Sequence, residues 1–151
     1  MIKFLSGNLL ESNAYALVNT VNTVGVMGKG IALQFKNEFP HNYIIYREAC
    51  LKNKLNIGQL LTVADSSLLL GERLIINFPT KTHWRLPSEY SYIEKGLQAL
   101  VKFLTENEIK SLALPALGCG NGGLDWVHVK EMICQHLEPL DTAIEVYEPG
   151  P

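Results

Sequence analysis

Two glycine-rich stretches, Gly25-Val26-Met27-Gly28-Lys29-Gly30 and Gly118-Cys119-Gly120-Asn121-Gly122-Gly123, are the residues best suited to chemistry, and each follows an apolar run. Backbone without side chains can turn several N–H groups toward one anion, and a helix N-terminus that follows adds a favourable dipole. One such loop suits a phosphate. Two suit a clamp on something long, such as a diphosphate with a sugar at each end. Either loop alone reads equally well as an ordinary connection. Asn19 and Asn22 run off an apolar stretch into the first loop. A carboxamide both donates and accepts, which fits a ribose diol; at a strand end the same residue is also a common turn former.

Neither common nucleotide fingerprint fits. A P-loop lysine at Lys29 requires glycine where Thr23 stands and Ser or Thr where Gly30 stands, and Gly25, Gly28 and Gly30 have the wrong spacing for the dinucleotide motif. Lys29 therefore reads as an auxiliary phosphate neighbour or as a solvated loop lysine. Cys119 lies where dipoles can activate a thiol, but no suitably placed histidine accompanies it, and it reads as a small packing residue. The four histidines include no HExxH pair, and Cys134 and His136 do not share a helix face. No catalytic metal and no cofactor are expected. Lys81-Thr82-His83-Trp84-Arg85 interleaves cations with an aromatic ring. That composition grips single-stranded nucleic acid by stacking and backbone attraction, unless Trp84 is simply packed.

The elements that must position these residues come from a chain of 151 residues, 47% hydrophobic and 19% charged, enough for one ordered domain with its own core. A formal charge of −2 argues against a general nucleic-acid coat and leaves room for a local basic patch. No apolar run approaches the roughly 18–20 residues of a membrane helix, and no secretory leader opens the sequence. Three cysteines without finger-like spacing lead us to expect a reduced, cytoplasmic protein, and a monomer. The stop at Glu148-Pro149-Gly150-Pro151, directly after an apolar run, is expected of a domain (residues 1–151) cut from a longer protein.

Strand-like runs rich in Val, Ile, Leu and Tyr occupy 2–5, 16–21, 59–64, 74–78, 111–115 and 143–147. Between them, Ile31, Phe35 and Phe39 repeat at helical spacing until Pro40, and a second helical stretch follows to about Lys52. Ser88 is the expected N-cap of the clearest helix, whose stripe is Ile93, Leu97, Leu100, Val101 and Leu104. Trp126, Val129 and Ile133 mark a shorter one, with Asp125 suited to its first turn. This alternation predicts a three-layer α/β/α sandwich over a six-stranded mixed sheet, with 59–64 and 74–78 as the antiparallel piece. Ligands of such sheets collect outside the carboxyl ends of strands. Both glycine loops and the segment 79–85 follow strands, so they can converge on one cleft.

Four separated blocks carry a resemblance: Gly7-Asn8-Leu9, Val18-Asn19-Thr20-Val21-Asn22, Gly28-Lys29-Gly30-Ile31-Ala32 and Ala113-Leu114-Pro115-Ala116-Leu117-Gly118-Cys119-Gly120. In order and content they resemble the macrodomain family, an ADP-ribose-binding α/β/α fold. Asn77-Phe78-Pro79-Thr80-Lys81-Thr82-His83-Trp84-Arg85 and Gly122-Gly123-Leu124-Asp125-Trp126 look like the DarG branch. Its members are antitoxins of DarT–DarG pairs that remove ADP-ribose from thymidine in single-stranded DNA. The chain is also similar to the terminal ADP-ribose protein glycohydrolases, which share a catalytic lysine and aspartate.

The resemblance implies an ADP-ribose site made of Asn8, Leu9, Asn19, Thr23, Gly28, Lys29, Gly30, Ile31, Gly118, Cys119, Gly120, Asn121, Gly122 and Tyr147. It implies catalysis by Lys81 and Asp125 with Asn22 at the distal ribose, and DNA contacts from His83, Trp84 and Arg85. A cognate DarT-type toxin is the implied partner. Many macrodomains carry Asp after the first glycine to accept the adenine amino group; here Asn8 can accept the same bond without a buried charge, so adenine binding is expected to be weaker.

Two opposite states of Lys81 are compatible with cleavage at C1″. As a nucleophile it needs a neutral amine, favoured by burial or by a cation such as Arg85. As a cation it stabilises or protonates the departing thymine N3. Asp125 activates water or steers Lys81, or is only a helix-start residue. Tyr147 stacks on adenine or is a half-buried strand residue. The alternatives to the DNA enzyme are a non-catalytic ADP-ribose reader and a hydrolase of protein-linked ADP-ribose or ADP-ribose 1″-phosphate.

Overall fold

Six strands form one sheet in the order β1 (Ile2–Leu5), β6 (Ala143–Tyr147), β5 (Ser111–Pro115), β2 (Ala16–Asn22), β4 (Gly71–Lys81) and β3 (Leu61–Ser67). All neighbours are parallel except the β3–β4 hairpin. The computed structural model describes residues 1–150; Pro151, the end of the expected 1–151 domain, lies outside the described residues. Helices α1 (Gly30–Glu38) and α2 (Pro40–Leu51) cover one face, and α3 (Tyr90–Glu106) and α4 (Trp126–Leu137) the other. The chain is a three-layer α/β/α sandwich over a mixed sheet.

Strand periodicity sorts the core. Ala16 and Val18 of β2 and Ile76 and Phe78 of β4 pack against Ile93, Leu97 and Leu100 of α3 and Val129 and Ile133 of α4. Leu17 and Ile75, one residue out of phase, meet Phe35 of α1 and Phe39, the residue between α1 and α2. Each fully buried Leu, Ile or Phe contributes about 1.5–3 kcal/mol. That outweighs the helix propensity of about 1 kcal/mol lost at Gly96 in mid-α3. Gly96 is there because a Cβ would collide with the Phe78 ring.

Several boundaries differ from expectation. β3 and β4 run to Ser67 and from Gly71, because main-chain pairing continues through Asp65, Ser66 and Ser67, residues of poor strand propensity. Asp65 also accepts from the backbone N–H of Asn42 at 2.8 Å, capping the start of α2 across space. Ser88 is not the N-cap of α3: Glu89 takes that place, with no side-chain cap. Ser88 is instead buried, its N–H donating to Gly122 O at 3.0 Å, so it is held by the second glycine loop rather than by the helix. Among the described residues no helix is long and apolar enough to cross a membrane.

Candidate active site

Asn22, Lys81, Pro115 and Tyr147, the last residues of β2, β4, β5 and β6, all line one cavity of 1190 Å³. Both glycine loops form its walls. They meet: a Cβ on Gly30 would stand 3.9 Å from Asn121 Nδ2 of the other loop.

The first loop takes its shape from Asn22. Oδ1 of this buried residue accepts from the N–H groups of Val24, Gly25 and Val26 at 3.1, 3.1 and 3.3 Å. Nδ2 donates to Val26 O at 2.8 Å. Under it, the buried Tyr46 of α2 places its hydroxyl 2.7 Å from Asn22 O and 2.9 Å from Asn22 Oδ1. Burial, and secondarily the Cys50 thiol, push the Tyr46 phenol far above its ordinary range, so it stays a neutral donor. Met27 plugs the loop into the core, and Gly25 holds φ +90°. α1 then begins at Gly30 with no side-chain cap. An uncapped helix start facing a cavity offers its N–H groups and dipole to an anion.

In the second loop Gly118 and Gly120 hold φ +73° and +70° around a single turn of 3-10 helix, Gly120–Gly122. Leu124 N–H donates back to Gly118 O at 3.0 Å. A Cβ on Gly122 would lie 2.5 Å from Ser88 Oγ, so the loop packs directly on Ser88. The Ser88 hydroxyl itself is buried without a hydrogen-bond partner.

Lys81 lies at an irregularity. The β2–β4 register runs Val21↔Pro79 and then Asn22↔Lys81, skipping Thr80. Thr80 and Lys81 both line the cavity, beside Thr20, Val21 and Asn22 of β2, and the extra residue at Thr80 is a bulge at the end of the ladder. The Lys81 ammonium lies 3.4 Å from Trp84 O. Beyond it, the Arg85 guanidinium sits 4.5 Å over the Trp84 ring, and His83 stacks on the same indole at 5.3 Å.

Asp125 is the N-cap of α4: Oδ2 accepts from His128 N–H at 3.3 Å, and its own N–H donates to Tyr90 Oη at 3.1 Å. Tyr90 and His128 stack with centroids 4.0 Å apart. The exposed Asp125 is not part of the cavity wall, yet its charge is felt there. Burial first and the Asp125 carboxylate second push the Cys119 thiol up to about 11. At neutral pH Cys119 is a protonated packing group.

At the opposite end Asn8 uses Oδ1 to cap the short turn Leu9–Glu11, accepting from Leu10 N–H at 3.0 Å, while Nδ2 donates to Gln34 Oε1. Tyr147 and Glu148 line the same cavity. Glu148 is held by Trp126 Nε1 at 3.0 Å and Lys130 Nζ at 3.4 Å.

The model of the Macro domain family matches residues 18–133. The chain belongs to the macrodomain family. It is 53% identical, over 99% of its length, to a Thermus aquaticus protein named DNA ADP-ribosyl glycohydrolase, of which it covers 41%. The macrodomain of Mycobacterium tuberculosis DarG superposes with a TM-score of 0.94 at 47% identity over 99% of both chains. Thermosipho africanus DarTG in complex with ADP-ribose gives a TM-score of 0.91 at 39% identity, over 98% of this chain and 41% of that one. The chain spans 41% and 43% of the length of the curated relatives from Thermus aquaticus and Mycobacterium tuberculosis.

In this macrodomain Asn8, Leu9, Asn22, Gly28, Lys29, Gly30, Ile31, Lys81, Trp84, Arg85, Gly118 through Gly122 and Tyr147 come together on the cavity wall. Asn19, Thr23, His83 and Asp125 do not. Asn19 shares the parity of Leu17 and is fully buried, its Nδ2 donating to Asn77 Oδ1 at 3.4 Å under α2. Thr23 stitches strands instead, its N–H donating to Lys81 O at 3.1 Å and its hydroxyl to Thr82 O at 3.0 Å. Sequence reasoning missed Tyr46, Thr80 and Ser88. Tyr46 looked like an ordinary helix residue, and its role depends on contacts 24 residues away in sequence.

Proposed function

We propose that this macrodomain is a DNA ADP-ribosyl glycohydrolase that cleaves the N-glycosidic bond joining ADP-ribose to thymidine in single-stranded DNA. It would undo the work of a cognate DarT-type toxin and so act as an antitoxin in the bacterial cytoplasm. The observation that carries the reading is the convergence of Lys81 with two glycine cradles on one cavity at the strand ends. The name and the 53% identity of the Thermus aquaticus relative support it, as does ADP-ribose bound to the Thermosipho africanus protein.

In this reading the pyrophosphate lies between the start of α1 and the Gly118–Gly122 turn. Adenosine extends toward Asn8, Leu9 and Tyr147, and the distal ribose toward Asn22 and Lys81. Fixed backbone N–H groups cost no reorganisation when charge develops, which makes them effective in a partly dry cleft. The Lys81 amine stands where the C1″–N3 bond must be broken, either attacking C1″ or stabilising the departing thymine. Asp125 spends Oδ2 on the α4 cap and stands outside the cavity wall, so in this reading Lys81 carries the chemistry.

The test is a thymidine-ADP-ribosylated oligonucleotide incubated with wild type and Lys81→Ala. Wild type is expected to release free ADP-ribose, and the variant to lose about 10²–10⁴-fold in rate while still binding ADP-ribose. Equal rates would remove Lys81 from the mechanism. Tight binding without turnover by wild type would make the protein a reader. Faster turnover of carboxyl-linked ADP-ribose on protein, or of ADP-ribose 1″-phosphate, would reassign the substrate.

A further inference from the structure

The first glycine loop carries apolar side chains into solvent beside the cavity. Val24 and Val26 are 40% and 41% exposed, and in the segment that follows β4 Trp84 and Leu86 are 44% and 51% exposed. Val26, Trp84 and Leu86 belong to the same cavity wall. The two segments are joined by both bonds from Thr23 to Lys81 and Thr82. Exposed apolar side chains cost free energy in water, and here three of them line one opening with Val24 beside them in the loop.

Each segment carries a cation. Arg85 lies over Trp84. Beside the first loop, the exposed Arg47 of α2 packs its stem against Gly25, with its Cα and Cγ 3.7 Å from where a Gly25 Cβ would be. Among the described residues neither arginine has a carboxylate within ion-pairing distance, whereas Lys52 on the same helix is paired with Glu48. Apolar surface flanked by free cations is the composition that holds unpaired bases by stacking and their backbone by charge.

We propose that Val24, Val26 and Arg47 form, together with Trp84 and Arg85 of the segment joined to them through Thr23, a lip that grips the unpaired nucleotides flanking the modified thymidine. This deepens the reading under Proposed function and rests on it. Bases in a duplex hide their faces in the stack, so a lip of this kind favours single strands. Arg47 supplies a phosphate contact beside the first loop, and the DNA strand therefore crosses that loop.

The experiment compares two conjugates, ADP-ribosyl-thymidine as the free nucleoside and the same thymidine within a short single-stranded oligonucleotide. For wild type the oligonucleotide is expected to show the higher kcat/KM, with a steep inverse dependence on salt. Arg47→Gln should lower the oligonucleotide-to-nucleoside ratio severalfold and flatten the slope of log kcat/KM against log salt by about 0.7, the value of one single-strand phosphate contact. Arg47→Lys, which keeps stem and charge, should restore most of both. Val24→Asp should shift the ratio in the same direction as Arg47→Gln. An unchanged ratio and slope, or an equal loss on both conjugates, overturns the lip. Wild type turning over the nucleoside as well as the oligonucleotide also overturns it while leaving the glycohydrolase reading standing; inactivity on both removes that reading, and the lip with it.

Discussion

Asn22 and Lys81 are register partners at the point where the β2–β4 ladder slips past Thr80. At that slip the two strands end together, β4 on the lysine that lines the cavity and β2 on the carboxamide that folds the first loop. The first glycine loop and Lys81 are thereby built on adjoining backbone, so a change in either disturbs both.

Replacing Asn22 with Ala removes the acceptor for three loop N–H groups. Val24 and Val26 are exposed enough to find water, whereas Gly25 is buried. A buried donor left unpaired costs about 1–3 kcal/mol. The expected loss is about 2 kcal/mol, seen as a Tm lower by about 4–8 °C, together with weaker ADP-ribose binding in calorimetry. Tyr46→Phe should weaken binding in the same direction while changing Tm less, because the core ring stays in place.

The second-loop glycines separate space from backbone strain. Gly120→Ala meets nothing within 4 Å but must hold φ +70°, a cost of about 1–2 kcal/mol. Gly118→Ala carries the same strain, and its Cβ would also lie 2.6 Å from Leu124 Cδ1. Denaturant midpoints should therefore fall in the order wild type, Gly120→Ala, Gly118→Ala. Gly122→Ala, with an ordinary φ but Ser88 Oγ 2.5 Å away, should lose affinity for ADP-ribose chiefly by pushing the turn off Ser88.

Cys119 tests whether the loop activates a thiol. With its ionisation pushed up to about 11 by burial and by Asp125, alkylation by iodoacetamide should be slow at pH 8 and rise steadily toward pH 10–11. Asp125→Asn should bring that rise to lower pH. Cys119→Ala should retain turnover. Fast labelling at neutral pH would contradict the electrostatic picture.

The Trp126 indole, and next the Lys130 ammonium, hold the Glu148 carboxyl below its ordinary range. A depressed carboxyl contributes stability that is present above the unfolded value of about 4.3 and is lost as pH falls through the folded one. The stability gap between wild type and Trp126→Phe should thus be constant above about pH 5 and narrow on acidification. A gap that widened toward acid would show that Glu148 is not held this way. Glu148 is only partly buried, its side chain 34% exposed, so the effect is a shape in the pH profile rather than a large change in Tm.

Much of the fold could be read in advance because it rests on short-range pattern. The run Ala16 to Val21, the stripe from Ile93 to Leu104 and the break at Pro40 each declare an element through period and propensity alone. Asp65 to Ser67 could not be read as strand, since only pairing with Glu72 and Arg73 makes them one. Ser88 carried a helix-cap signal that the second glycine loop overrode. Lys81 was legible only through its motif, for an isolated lysine after Pro79 has nothing local to mark it.

The sequence by itself determined the layers, the strand order's antiparallel pair and two glycine loops, because apolar period and missing side chains are properties of neighbouring residues. Tertiary structure alone decided which of two similar asparagines lines the cavity. Asn19 and Asn22 lie three residues apart on the same strand. Strand parity buries Asn19 beneath α2, while Asn22 at the strand end is recruited by Tyr46 to fold the first loop. Nothing within either local segment encodes that choice, since it depends on which helix packs on which face of the sheet.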